Sequence, residues 1–339
     1  MEEMTREELL RRRLWGLYLT RKGEPQEVAG GLCGLQAQYA ANAVHALRIR
    51  CGSTDTKGLV KGWTLRGTMH LFPADDLPLY LPEGRLDFFD TPYGRWRYDH
   101  GCPVSRERMG FFARVVEGAL SDVPISREEL KALCRAEGMT AEEEPWVFDG
   151  WGGVIRMLAE GGALCVSAEE NRAYVSAPEF VPMNREQAER ELLRRHLTAY
   201  GPVSLRDMAY FFRWTQKQLK ALLSELPAET VTCEGRTYYY IGMPSSLPPV
   251  PRCLFAAGFD PLLLGYEKTE NPVLPPEHLK KIFNNTGIVF PALLVEGAVC
   301  GKWKEQPKRI EITAFAPLDE AAVLNEAAGL WLGKPVKFL

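Results

Sequence analysis

The stretch GWTLRGTMHLFP, residues 62–73, decides how the chain is read. Trp63 and Leu65 precede Gly67, and Met69, Leu71 and Phe72 follow it, so two short apolar runs meet at a glycine, the pattern of a β-hairpin. Three helical patterns lie upstream. Thr5 and Glu8 are spaced as a capping box ahead of Leu9, Leu10, Leu14, Leu17 and Tyr18, and Pro25 suits the first turn of a helix through Val28, Leu32 and Leu35. A third apolar stretch at helical spacing covers Ala43 to Ile49. Helix, helix, helix and hairpin is the order of a winged helix.

That order recurs. PISREEL (124–130) and PVSLRDM (202–208) share a proline, a β-branched residue, a serine able to cap and a closing apolar residue, and they start 78 residues apart. Around the first lie the helical patterns SRERMGFFARVVEGAL and WVFDGWGGVIRMLAEGG and the strand patterns ALCVSA and RAYVSA. Around the second lie REQAERELLRRHLTAYG, TQKQLKALLSEL, ETVTCEG and RTYYYIG. The prediction is an α+β, mainly helical chain of tandem winged-helix units at 1–100, 101–182 and 183–243. After the proline-rich MPSSLPPVPR, residues 244–339 carry strand runs and a closing amphipathic helix, a β-rich C-terminal subdomain with β-hairpins.

Composition narrows the partners. The 339 residues are 46% hydrophobic with a net charge of −3, so no overall basic field draws the chain to nucleic acid or anionic membrane. Phosphate contacts have to come from local patches. The candidates are Arg48, Arg50, Lys57, Lys61 and Arg66 around the first wing, with His70 beside them, Arg95 and Arg97, Arg194 and Arg195, and the run Lys302, Trp303, Lys304. Against each stands the simpler reading that most of 41 lysines and arginines are solvated surface charges. The eight cysteines show no close metal-ligand spacing and are read as buried free thiols; the charged N-terminus lacks the apolar core of a signal peptide. A cytoplasmic location, no metal and no cofactor are expected.

The usual catalytic constellations are missing: no H-E-x-x-H, no G-K-[ST] phosphate loop and no G-x-S-x-G elbow. The residues that stand out are Gln36 and Gln38, two amides inside the mostly apolar LQAQYAA. Amides do not titrate, so a helix-end or surface role is the plainer reading, yet exposed amides are a costly choice in so apolar a segment. Residues i and i+2 share a side only on an extended backbone, so a pair meant to act together requires the helix to end here.

Taken in order, LQAQ (35–38), WTLRGTMHLFPADDL (63–77), FDPLLLGY (259–266) and GKW (301–303) resemble the winged-helix DNA glycosylases of the AlkZ and YcaQ type. The resemblance implies a C-shaped array of winged helices taking DNA on its concave face, and removal of N-alkylated purines, crosslinked N7-alkylguanine included, without metal or cofactor. Gln36 and Gln38 match that family's Gln-x-Gln catalytic motif, with Ala37 smaller than the bulky aliphatic usual between them. The implied partner is duplex DNA carrying an alkylated base, engaged by a monomer with no membrane contact. The competing reading is a winged-helix DNA-binding protein without catalysis, such as a transcriptional regulator. Asp260 is read as the cap of the turn that follows it.

Overall fold

Local signals set the element ends. Thr5 Oγ1 accepts from Glu8 N at 3.1 Å and starts the helix Arg6–Gly16. In the two recurring motifs the serine and the acid three residues on cap each other: Ser126 with Glu129 opens Arg127–Ala136, and Ser204 with Asp207 opens Leu205–Phe212. Two backbone N–H groups that no helix turn can satisfy are covered at each start. In this computed structural model the described residues are 2–170, 173–242 and 244–339. Asn171, Arg172 and Met243, which belong to the predicted second hairpin and to the predicted boundary at 243, lie outside them.

The chain forms two compact units, one of Thr56–Glu189 and one that joins Met1–Asp55 to Arg190–Leu339. In the first, the hairpin Leu59–Trp63 with Met69–Pro73 closes through a turn at Thr64–Thr68, where Arg66 (φ 60°) and Gly67 (φ 66°) take left-handed backbone. Strand Leu59–Trp63 also pairs with Leu164–Ser167, which pairs with Ala173–Ser176, which pairs with Ile125–Ser126, all antiparallel. Helices Arg106–Gly118, Arg127–Ala136 and Val154–Gly161 bury Phe112, Val116, Leu130, Ile155 and Leu158 in one core with Val166. The pattern WVFDGWGGVIRMLAEGG is not one helix. It breaks between Glu144–Val147 and Val154–Gly161, because Gly152 and Gly153 take φ of 123° and 56° and a Cβ on Gly153 would lie 2.1 Å from the Val147 carbonyl oxygen.

The second unit carries helices Pro25–Gly31 and Ala40–Cys51, then Leu205–Phe212 and Gln216–Leu223, and the hairpin Glu229–Cys233 with Arg236–Tyr240. Glu2–Glu3 adds a parallel edge strand to this hairpin. A five-stranded sheet follows in the order Cys253–Ala256, Ala292–Val295, Ala298–Gln306, Arg309–Ala314, Val336–Phe338, the last pair parallel. Helix Glu320–Leu330 precedes Trp331, whose ring lies 5.0 Å from Phe255 and 4.8 Å from Trp303. The cysteines are free, and burial pushes the thiols of Cys165 and Cys253 up to about 12.

One ion pair ties this unit together. Arg50, near the end of Ala40–Cys51, and Asp260 are both fully buried, with Nη2 to Oδ1 at 2.6 Å and Nη1 to Oδ2 at 3.0 Å. Asp260 also accepts from Ala257 N and Leu262 N at 2.9 and 2.8 Å, and Arg50 Nε donates to the Leu17 carbonyl at 2.9 Å. Every oxygen lone pair facing a donor offsets part of the desolvation that a buried pair suffers, whereas removal of one member strands the other charge. Asp260→Asn is therefore expected to destabilise the protein by about 3–5 kcal/mol, seen as a clearly lower urea midpoint followed by tryptophan fluorescence.

Candidate active site

Helix Pro25–Gly31 ends where the backbone turns left-handed, at Cys33 (φ 55°) and Gly34 (φ 85°), with Gly34 N donating to the Ala29 carbonyl at 2.8 Å. The buried Tyr200 hydroxyl fixes this end by donating to the Leu32 carbonyl at 2.9 Å. Leu35–Gln36 is extended, and the next helix starts only at Ala40. Within this linker Leu35 and Ala37 are buried, while Gln36 is half-buried and Gln38 exposed. Gln36 is the last extended residue and Gln38 lies in a bend, so both amides sit outside helix geometry and keep more solvent access than Leu35 and Ala37.

The other end of the linker is aromatic. Tyr39 caps Ala40–Cys51 by position, without a side-chain hydrogen bond, and stacks on Phe259 at 5.7 Å with 25° between the rings. Phe259 has φ 55°, an unusual conformation for a bulky residue, and its amide donates to the Val289 carbonyl at 3.1 Å. Asn42 packs closely on Gly258 beside it, where a Cβ would come within 2.6 Å of Asn42 Oδ1. A cavity of about 560 Å³ opens next to this pair, bounded by Tyr39, Asn42, Phe259, Phe290, Lys302 and Trp303 among others. Tyr39, Asn42, Phe259 and Phe290 were not singled out from the sequence. The signal available was the position of Tyr39 directly after the second glutamine.

The basic candidates separate by burial. Arg50 is bound to Asp260 and fully buried, so it is a structural residue and not a DNA contact. Lys61 is 5% exposed on its strand, and burial lowers its pKa; a phosphate cannot approach it. His70 is 2% exposed, with Nδ1 2.8 Å from Thr64 Oγ1 and 3.1 Å from the Thr68 carbonyl oxygen. Its burial, reinforced by Arg66, pushes its pKa down to about 3, so it is neutral and internal. Trp303 is core as well, its indole N–H donating to the Ala256 carbonyl at 2.9 Å. Arg97, also expected at the surface, is 1% exposed.

Eight candidates keep access to solvent: Arg48, Arg66, Arg195 and Lys302 are partly exposed, and Lys57, Arg95, Arg194 and Lys304 are exposed. Lys302 and Lys304 stand in strand Ala298–Gln306 opposite Thr313 and Glu311, and the ammonium of Lys302 lies 5.1 Å over the Phe290 ring. Arg48 pairs with Glu305 at 3.1 Å, and His45 Nε2 sits 2.8 Å from the same carboxylate. Burial alone would raise Glu305, but hydrogen bonds from Lys334 and His45 and the charge of Arg48 outweigh it and hold the carboxyl at about 2. Asp260 is a cap, as its sequence suggests. Among the described residues no group of three His, Cys, Asp or Glu side chains could hold a metal ion, and no helix is long and apolar enough to cross a membrane.

Residues 29–331 match the family described as DNA glycosylase AlkZ-like. An interstrand DNA cross-link repair glycosylase of Streptomyces sahachiroi is 25% identical over 337 residues, covering 89% of this chain and 88% of that protein. The solved structure of Streptomyces sahachiroi DNA glycosylase AlkZ superposes with a TM-score of 0.79 at 23% identity, over 99% of this chain and 100% of that one.

The buried histidine of the wing hairpin has a consequence for acid stability. Its pKa in the folded protein, about 3, lies below the ordinary 6.5, so the unfolded chain takes up a proton first as pH falls. The stability present above pH 6.5 is lost progressively toward pH 3. His70→Gln, which keeps a polar side chain but cannot titrate, is expected to flatten the fall of Tm with pH across that window.

Proposed function

Because the chain belongs to the AlkZ-like family of DNA glycosylases, we propose that it hydrolyses the N-glycosidic bond of N-alkylated purines in duplex DNA, N7-alkylguanine above all, with Gln36 and Gln38 as the catalytic pair. The observation that supports this reading is the non-helical linker between two helices, in which both amides keep solvent access while Leu35 and Ala37 are buried. The cross-link repair activity in the name of the Streptomyces relative supports crosslinked purines as a further substrate.

The chemistry suits so mild a pair. Alkylation at N7 leaves guanine with a formal positive charge, so the base departs without acid assistance and the sugar develops oxocarbenium character. One amide oxygen orients the attacking water and favours the growing positive charge, and an amide N–H holds that water's oxygen in line. An unmodified purine, a far poorer leaving group, gains little from such help, so part of the selectivity lies in the lesion.

The tandem winged-helix reading is supported by topology. Helix Arg106–Gly118, strand Ile125–Ser126, helices Arg127–Ala136 and Val154–Gly161 and a hairpin that returns to pair with that strand follow the winged-helix order. Helices Leu205–Phe212 and Gln216–Leu223 with the hairpin Glu229–Tyr240 repeat it, with Val203 bridged to Tyr239 in place of the first strand. Arg48, Lys57, Arg66, Arg95, Arg194, Arg195, Lys302 and Lys304 remain as candidate phosphate contacts, and the protein acts as a monomer.

Incubation with a duplex carrying one N7-methylguanine, followed by alkaline cleavage of abasic sites, tests the assignment. Gln36→Ala and Gln38→Ala are each expected to lower single-turnover base release by roughly 10²–10³-fold while DNA binding persists. Release at the wild-type rate by either variant contradicts the pair.

A further inference from the structure

The run YGRWRYDH, residues 93–100, contains Arg95 and Arg97, but its aromatic members are the more unusual. Helix Pro92–Asp99 and the residue after it place Tyr93, Trp96 and His100 on one face, as i, i+3 and i+7. Their rings follow one another, Tyr93 to Trp96 at 6.5 Å with 13° between planes and Trp96 to His100 at 4.6 Å with 30°. Trp96 stays 45% exposed and His100 is exposed, whereas a tryptophan packed for stability hides its indole. A second indole lies on the neighbouring turn. The Tyr93 hydroxyl donates to Asp149 and accepts from Gly153 N at 3.3 Å, so it spans the segment that carries Trp151, which is 65% exposed.

The ring ladder is held rigid from below. Thr91 Oγ1 accepts from Gly94 N at 3.0 Å to start the helix, a Cβ on Gly94 would lie 2.0 Å from the Phe88 carbonyl oxygen, and the buried Arg97 donates to the Trp146 carbonyl. Aromatic groups fixed before binding lose little freedom when a partner stacks on them. Cations border the face. Arg95 is exposed on the same helix, and Arg156 lies 4.4 Å over the Tyr93 ring. A Cβ on Gly67 would lie 3.3 Å from Arg156 Nη2, so the wing turn that carries Arg66 adjoins the same cluster. Of the nearby acids, Asp149 is engaged by Tyr93 and Arg97 and Glu160 by Arg156 at 2.7 Å, while Asp99 is exposed at the helix end. All of these residues belong to the unit Thr56–Glu189.

We propose that this face is a stacking platform for unpaired bases of single-stranded DNA. Exposed indole and imidazole rings stack on any base, and guanidinium groups at their edge attract the phosphates between bases. A paired base already has both faces covered by its neighbours in the duplex, so the platform discriminates by strand state rather than by sequence. The proposal goes beyond base excision and requires nothing of Gln36 or Gln38. It gives the unit Thr56–Glu189 a hold on DNA that is opened beside a lesion.

Anisotropy of a labelled oligothymidylate of about 12 nucleotides, compared with a chain of abasic spacers carrying the same number of phosphates, tests the platform on the whole protein. The oligothymidylate is expected to bind at least about tenfold more tightly. Trp96→Ala and Trp151→Ala should each weaken it by roughly ten- to a hundred-fold with the spacer chain unaffected, and Trp96→Phe, which keeps a ring, should retain most of the affinity. Trp151 is the more exposed of the two, so its variant carries the test should Trp96→Ala fail to fold. Equal affinity for thymidylate and spacer, wild-type affinity in the folded alanine variants, or the same loss on a blunt duplex overturns the platform. None of these outcomes touches base release from N7-methylguanine, by which the glycosylase reading stands or falls.

Discussion

The buried pair Arg50–Asp260 holds together the helix and turn that flank the linker of Gln36 and Gln38. Asp260 uses both oxygens four times, twice to Arg50 and once each to Ala257 N and Leu262 N, and so fixes the turn 257–262 around itself. Arg50 fixes helix Ala40–Cys51 to that turn near one end. Near the other end, Tyr39 stacks on Phe259 and Asn42 packs against Gly258, residues of the same turn. A helix held at two points cannot swing, and the linker that enters it, with Gln36 and Gln38, is fixed in turn. The left-handed backbone at Phe259 is the strain this arrangement tolerates.

Neither Gln36 nor Gln38 carries a titrating group. His70 is neutral and enclosed, His45 lies against Glu305, and Glu305 is held ionised by its cationic neighbours. A general acid works when its pKa lies near the working pH, and neither His70 nor Glu305 meets that condition. What the linker offers is fixed dipoles at a defined spacing. Such groups accelerate a reaction whose leaving group is already activated, and they give little to one whose leaving group must first be protonated.

Much of this was legible from local pattern. The serine caps at 126 and 204, the hairpin around Gly67 and the aspartate cap at 260 depend on residues a few positions apart, and sequence holds all the information they need. That Gln36 and Gln38 lie outside a regular helix was legible for the same reason. Burial of charge was not legible. Arg50, Lys61 and Arg97 read as surface groups because their burial, and for Arg50 the partner Asp260, 210 residues away, depend on tertiary packing. Nor was the gathering of residues 1–55 with 190–339 into one unit, which rests on long-range contacts that no periodicity encodes. The cavity belongs to this class too, since its walls come from stretches as far apart in the chain as Tyr39, Phe259, Phe290, Lys302 and Leu339.

The pH dependence of single-turnover release of N7-methylguanine tests the central claim most directly. The informative window is about pH 4.5–6.5, where carboxylates and histidines titrate while the alkylated base keeps its ring proton. Two amides acting without a titrating partner predict a rate that is flat across it. A rate that rises or falls tenfold with the slope of a single ionisation would place an acid or base in the reaction, and would contradict the assignment to Gln36 and Gln38.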